Sequence, residues 1–470
     1  GQDGLKAEEH GRGNRSTTRR TNRCAETLQG ARARARDHRT RGAHFRVAPL
    51  RCYERRGPRP SARPTSVHTE DTAAQSSENP MPISQLITQQ IQHASWIRRM
   101  FEEGIRLKAE RGAENIFDYT LGNPDPEPPK PIMDALQRVV MENRPRSHAY
   151  MPNAGFPEVR AAMAARMSKA TGLTYTADHI LMTVGAAGAL NTLLKALLDP
   201  GDEVIVLAPF FSEYQFYIGN HGGKMVLVET REDFSLDVAA VEAALSPRTK
   251  AILLNSPNNP TGAIYSEESL AELEALLARK APTALVISDE PYKVITYDGH
   301  RQPEIAAILR NTVIVNSWSK QWAVPGERIG YIAISPRVDD ARELAAACTF
   351  THRTLGFVNA PAIWQWVAKE VEDACVDIRE YQRKLDLLCG ALTRFGYTFT
   401  RPKGSFYVFP QTPIADDVAF VQLLQEEGVL AVPGRGFGRA GHIRLSLTLP
   451  MSDVERSLPG FEKAIRRARG

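Results

Sequence analysis

The sequence predicts an α/β fold built around a mostly parallel sheet of seven strands. Three observations predict it. From about residue 179 onward, short apolar runs rich in β-branched residues recur. Each is followed by a polar or glycine-rich break, and several breaks lead into helical spacing. Such runs alternating with helices are the pattern of strands buried on both faces of a helix-covered sheet.

The runs, in chain order, are HILMTV (179–184), DEVIVLA (202–208), KMVLVE (224–229), KAILLN (250–255), ALVIS (284–288), TVIVN (312–316) and GYIAI (330–334). Helical spacing fills AAGALNTLLKALL (186–198) and SEESLAELEALLARK (266–280). Ligands of such sheets gather at the carboxyl ends of the strands, so the breaks are where chemistry is expected. They read Gly185-Ala186-Ala187-Gly188, then APFFSEY, NSPNNPTG, DEPY and NSWSK. Asp289 follows a run too apolar to leave it without a cationic partner. Lys320, just past TVIV (312–315), would by itself be read as a solvated loop lysine; the company of the other breaks raises it to a candidate reagent.

The 470 residues are enough for two domains and a large core, and 42% hydrophobic with 24% charged residues is a globular composition. No apolar run approaches the roughly 20 residues of a membrane helix. Cysteines 24, 52, 348, 375 and 389 form no CxxC and no disulfide ladder. That suits a reducing compartment, with the cytoplasm the expected location, and argues against structural zinc.

Residues 1–80 carry 17 Lys+Arg, 16 of them Arg, against 9 Asp+Glu, while the whole chain carries +5. The positive balance is thus supplied by the tail, which lacks any sustained 3.6 or 2 period and is expected to be a disordered basic extension over 1–82. A nucleic-acid-binding arm, a transit peptide and an extension outside the working protein compete to explain it. The extension is preferred, with Met81 as the natural start, because helical spacing (Ile87, Ile91, Ala94, Ile97, Met100/Phe101) first appears there.

SWSK (317–320), with Arg328 eight residues beyond the lysine, resembles the cofactor-lysine signature of the class I/II aminotransferases, pyridoxal-5′-phosphate (PLP) enzymes of the aspartate aminotransferase fold. LGNPDPEPP (121–129), YMPNAG (150–155), TVGAAGAL (183–190), PFFSEY (209–214), NSPNNPTG (255–262), SDEPY (288–292), KGSFYVFP (403–410) and HIRLSL (442–447) complete an ordered set over roughly 83–468. The resemblance implies the PLP-dependent fold type I: a large PLP-binding domain over 130–360 and a smaller α+β domain. The latter would combine the arm at 83–129 with 361–470, joined by one long helical stretch over 359–388.

The roles it implies are these. Lys320 supplies the amine that condenses with PLP and then shuttles a proton, which demands a lowered pKa. Asp289 pairs with the pyridine nitrogen, although an Asp before Pro291 also reads as a helix cap. Tyr292 and Asn259 serve the ring oxygen, Asn259 being otherwise a turn residue and also placed near the substrate. Gly185, Ala186, Ala187, Ser317 and Arg328 hold the phosphate, with Ala186-Ala187 standing where many members have a hydroxyl. Phe211 stacks on the ring. Arg444 grips the substrate carboxylate, a bidentate task for which lysine is a poor substitute. Gly122 lies where the N-terminal segment closes over substrate, and Tyr150 reaches across a homodimer to the neighbour's phosphate.

The implied activity is transfer of an amino group between an L-amino acid and a 2-oxo acid by a ping-pong mechanism, with aspartate or glutamate and 2-oxoglutarate first in line. A PLP-dependent β-lyase on the same fold is the alternative. A PLP-binding transcriptional regulator is less favoured, because residues 1–80 lack helix–turn–helix spacing, so a nucleic-acid partner is not expected. GFGRAG (436–441) matches a dinucleotide fingerprint but precedes a strand-like run, and is expected to be a loop.

Overall fold

The computed structural model describes residues 83–92 and 96–470, so the expectations for the tail, for Met81 and for Ala94 lie outside the described residues. All seven apolar runs are strands: β1 (Ile180–Thr183), β2 (Glu203–Ala208), β3 (Lys224–Glu229), β4 (Thr249–Asn255), β5 (Leu285–Asp289), β6 (Thr312–Ser317) and β7 (Gly330–Ile334). They form one sheet in the order β1-β7-β6-β5-β4-β2-β3. Only β7 runs against its neighbours; the other pairings are parallel. Val204, Val206, Leu253, Ile287, Val313 and Ile332 are all buried beneath the helix Gly185–Leu197, which presents Leu190, Leu193 and Leu194 to them. On the opposite face Ile205, Ile252, Leu254 and Val286 meet Leu270, Leu273 and Leu277 of the helix Glu267–Lys280. That helix starts where Ser266 accepts the Ser269 N–H (3.2 Å) and follows the usual charge order, acids first and bases last.

The register aligns the rim. Asn255 pairs with Asp289, Asp289 with Val315, and Gly330 with both Ser317 and Thr183. The carboxyl ends of six strands therefore open on one edge, with the start of β7 among them. Beside this sheet, Phe117–Asp118 pairs in parallel with Val429–Leu430, and Ile443–Ser446 runs antiparallel to Tyr407–Val408 and Val432–Pro433. Phe117 and Tyr119 join the core made by the C-terminal part of the chain, with Leu385, Leu388, Phe420 and Phe461.

One expectation is corrected. The stretch over 359–388 is two helices, Ala362–Glu370 and Ile378–Phe395, with an irregular link between. Asp377 caps the second by accepting the Arg379 N–H (3.0 Å). The link is pinned to the segment after Lys320: Gln321 Nε2 and Trp322 Nε1 donate to the Ala374 carbonyl (2.9 and 3.0 Å), and Val376 N–H donates to Gln321 O (2.8 Å). Those tertiary bonds outcompete continued helix. The helical spacing expected after Met81 falls on the helices Gln85–Gln92 and Trp96–Arg111, where Ile87 and Ile91 are exposed. Among the described residues, no helix is long and apolar enough to cross a membrane.

Gly330 has no room for a side chain: a Cβ there would stand 2.6 Å from Asn316 O and 2.8 Å from the Gly185 carbonyl carbon. Both neighbours are backbone and cannot turn aside. Gly330→Ala should therefore cost roughly 1–3 kcal/mol, seen as a lower urea midpoint at unchanged slope; an unaltered midpoint would contradict this packing.

Candidate active site

At the rim lies a cavity of about 340 Å³ lined by Gly122, Ala186, Ala187, Phe211, Asn259, Asp289, Tyr292, Ser317, Lys320, Arg328 and Arg444, among others. Gly185 abuts it, under the Arg328 guanidinium. The structure thus brings together twelve of the thirteen residues expected from the sequence. Tyr150 is the exception: it is 88% exposed and does not line this cavity.

Three cations face this space. Lys320, at the turn after β6, donates from Nζ to the Gly122 carbonyl at 2.5 Å. Burial, with Arg328 and Arg444 nearby, pulls its pKa down to about 8. A larger fraction is therefore neutral and nucleophilic near pH 7 than for an ordinary lysine. Arg328 is held at φ +51° and donates from Nη1 to Pro325 O (2.7 Å). Its Nη2 is 3.0 Å from where a Gly185 Cβ would stand, so glycine is what lets the guanidinium reach the start of the helix Gly185–Leu197. A cation against the positive end of a helix is unfavourable unless an anion sits with them.

Arg444, in the strand Ile443–Ser446, is 1% exposed. The Tyr407 and Phe437 rings cover it at 4.6 and 4.7 Å. Nη1 donates to Asn259 Oδ1 (3.2 Å) and Nη2 to the Thr120 carbonyl, while Nε is buried with no acceptor. None of these three cations pairs with a carboxylate of the described residues. GFGRAG is a loop, as expected, but it contributes through Phe437, which ends the turn Gly434–Phe437.

Asp289 closes β5 and is the cavity's carboxylate. Oδ2 accepts the Tyr214 hydroxyl at 2.5 Å, and Oδ1 is buried without a donor. Burial raises its pKa to about 7, against the Tyr214 bond and with help from the Glu290 charge. Asn255 Nδ2 holds the Asp289 carbonyl (2.9 Å), and Asn255 Oδ1 accepts the Asn259 N–H (2.8 Å). Asp289 is thus a strand end and not a helix cap. The Tyr292 hydroxyl meets that of Tyr407 at 3.1 Å. Phe211 packs edge-on against Tyr214, with centroids 5.5 Å apart. Ser317 is buried at the end of β6.

Tyr214, Tyr217, Ser319 and Tyr407 also line the cavity and were not among the expected residues. Tyr214 and Tyr217 follow Phe211 at successive steps of three, a helical signal present in the sequence. Tyr407 sits in KGSFYVFP, but nothing local marks its hydroxyl. A Cβ on Gly122 would stand 2.0 Å from the Tyr407 oxygen, so glycine is required where that hydroxyl seats.

The model of the family described as aminotransferase class I and II matches residues 114–459. An aspartate/prephenate aminotransferase of Thermus thermophilus is 36% identical over 374 residues, covering 77% of this chain and 94% of that protein. A probable N-acetyl-LL-diaminopimelate aminotransferase of Bacillus subtilis is 32% identical, covering 76% and 91%. Among solved structures, an amino transferase of Eubacterium rectale is 36% identical with a TM-score of 0.80, covering 83% of this chain and 100% of that one. A Thermus thermophilus aspartate aminotransferase crystallised with maleate has a TM-score of 0.71 at 32% identity, covering 80% and 98%.

Ligand-free protein offers a test of the buried carboxylate. An acid whose pKa is higher in the folded state takes up a proton on folding, so its contribution to stability falls as pH rises from about 4 through about 7. Relative to Asp289→Asn, the wild type should lose on the order of 1–4 kcal/mol across that window, read from urea midpoints at pH 5 and pH 8. Parallel pH curves for the two proteins would refute the assignment.

Proposed function

The chain belongs to the class I and II aminotransferases, and from that premise we propose that it moves an amino group between an L-amino acid and a 2-oxo acid, using PLP, by a ping-pong mechanism. The observation that carries this reading is the charge pattern of the cavity: three cations with no carboxylate partner among the described residues face one buried carboxylate. Such a set fits a ligand with two anionic groups and one cationic nitrogen.

The residues fit PLP in particular. Among the described residues Asp289 Oδ1 lacks a donor, as a partner for a protonated ring nitrogen should, and Arg444 Nε lacks an acceptor, as a partner for a substrate carboxylate should. The N–H groups of Gly185, Ala186 and Ala187, with Ser317 and Arg328, would hold the phosphate. When bound, PLP supplies an aldehyde that captures amines and a ring that accepts the electrons of the Cα–H bond.

The chain supplies the rest. Lys320 takes the proton from the substrate Cα, and its lowered pKa suits it as a base near neutrality. Asp289 would hold the proton on the ring nitrogen, with Tyr214 fixing its other oxygen. Tyr292 and Asn259 would donate to the ring oxygen, and Phe211 would cover the ring face. Arg444 fixes the carboxylate, so that Cα presents its hydrogen to Lys320. Gly122 and the Tyr407 ring line the cavity beside these groups.

The same reading has the enzyme act in the cytoplasm as a homodimer in which Tyr150 serves the neighbour's phosphate; its exposure in the single chain supports this. We put aspartate and glutamate with 2-oxoglutarate first as substrates, because aspartate aminotransferases recur among the relatives. The test is a panel of amino donors scored by half-reaction absorbance, with hydride reduction to tag the lysine. The tag should fall on Lys320. Lys320→Ala should lose at least ~100-fold in turnover, and Arg444→Lys should lose roughly 10–100-fold in kcat/KM. Release of pyruvate and ammonia without an oxo-acid acceptor would instead mark a β-lyase, and wild-type turnover by Lys320→Ala would sink the site.

A further inference from the structure

Residues 118–125 form a strap beside the cavity, touching it at Gly122, and its carbonyls hold two of the cavity's cations. At one end Lys108 Nζ pairs with Asp118 Oδ2 (2.8 Å), and Asp118 Oδ1 accepts the Thr120 N–H and hydroxyl (3.1 and 2.6 Å). In the middle the Thr120 carbonyl accepts from Arg444, the Leu121 carbonyl from Thr448 Oγ1 (2.7 Å), and the Gly122 carbonyl from Lys320 (2.5 Å). At the far end Asp125 Oδ2 pairs with Lys384 Nζ, their side chains 20% and 4% exposed. Lys384 belongs to the helix Ile378–Phe395, and its ammonium lies 5.5 Å from the Tyr381 ring. It does not line the cavity.

A lysine buried to this degree is costly unless its partner is fixed, and removing Asp125 strands its charge. The strap also has space behind it: an open groove of about 780 Å³ is bounded by Leu121, Pro124 and Asp125 on one side and by Ala323 and Leu449 elsewhere. Within the far half of the strap Pro124 is buried while Asn123 and Asp125 are exposed, so packing holds it at Pro124 and the ion pair adds a hold at Asp125. Only two residues separate Gly122 from Asp125, and one of them is Pro124, so displacement at Asp125 reaches the Gly122 carbonyl with little slack.

We propose that Lys384, acting through Asp125, is a positioning residue for the reaction. The ion pair, buried at its lysine, anchors the strap and so sets the Gly122 carbonyl against Lys320 and the Thr120 carbonyl against Arg444. The strap thereby keeps both cations oriented before the ligand carboxylate and the reactive carbonyl arrive, and it yields those bonds as they bind. The inference rests on the aminotransferase reading for its kinetic consequence, but the anchor itself is a property of the chain.

The test uses Lys384→Met, Asp125→Asn and the double variant in the full chain. Amide exchange of the peptide 119–123 is measured without cofactor, and donor KM, kcat and the chromophore's pH midpoint with PLP. Each single variant should exchange faster over 119–123 and raise KM about tenfold with a smaller change in kcat. The double variant leaves no stranded charge, so it should melt near wild type yet keep the fast exchange and raised KM, with effects short of the sum of the singles. Lowered melting temperature with wild-type exchange and KM would reduce the pair to a stabilising contact and overturn the proposal. So would a double variant that matches wild type in both. If the wild type shows neither chromophore nor turnover, the functional reading fails, and the exchange measurement still decides the anchor.

Discussion

The contact on which the rest depends is the one between the Lys320 ammonium and the Gly122 carbonyl, made with Arg328 and Arg444 close enough to lower the lysine's pKa. Three cations around one small cavity repel each other, and the protein tolerates this because each is held by neutral acceptors rather than by carboxylates. Carbonyls of Gly122, Thr120 and Pro325 and the amide of Asn259 take those places. A carboxylate in any of them would bind more strongly and would then have to be displaced by an anionic ligand. Neutral acceptors keep the cations oriented and leave their charge unspent.

Holding those acceptors in register is the work of the sheet. Lys320 follows β6, Asp289 ends β5, and Gly330 at the head of β7 lets β6 and the Gly185 turn approach within backbone contact. A one-residue slip in any of these pairings would turn Asp289 or Ser317 to the other face. The apolar runs prevent it, because a slip would also exchange the buried faces that meet the two helix layers. The chemistry is therefore positioned by ordinary hydrophobic packing several residues away from it.

This explains what could be read from the sequence. The strands were legible because burial on both faces forces runs such as TVIVN and KAILLN, and the breaks were legible because strand ends carry the polar residues. What was hidden depends on partners distant in the chain. Tyr214 meets Asp289 across 75 positions and Tyr407 meets Tyr292 across 115, and neither pairing leaves a local mark. The break at 371–377 was hidden for the same reason: its sequence is helix-compatible, and it is the bonds to Gln321 and Trp322 that unwind it. The stripe at Ile87 and Ile91 was legible as amphipathic, but periodicity does not say what a stripe will meet.

The two titrating groups at the centre are drawn toward each other on the pH scale, Asp289 up to about 7 and Lys320 down to about 8. Both shifts have burial as their largest cause, which penalises whichever form is charged. For Lys320 the neighbouring Arg328 and Arg444 add to burial in lowering its pKa. For Asp289 the Tyr214 hydroxyl works against burial and favours the carboxylate. A cationic ligand nitrogen at Oδ1 would complete that shift, since an opposite charge at hydrogen-bond distance outweighs the same desolvation. The cavity therefore treats its two groups by environment: burial with cations nearby eases the proton off Lys320, and an opposite charge at Oδ1 would favour the Asp289 carboxylate.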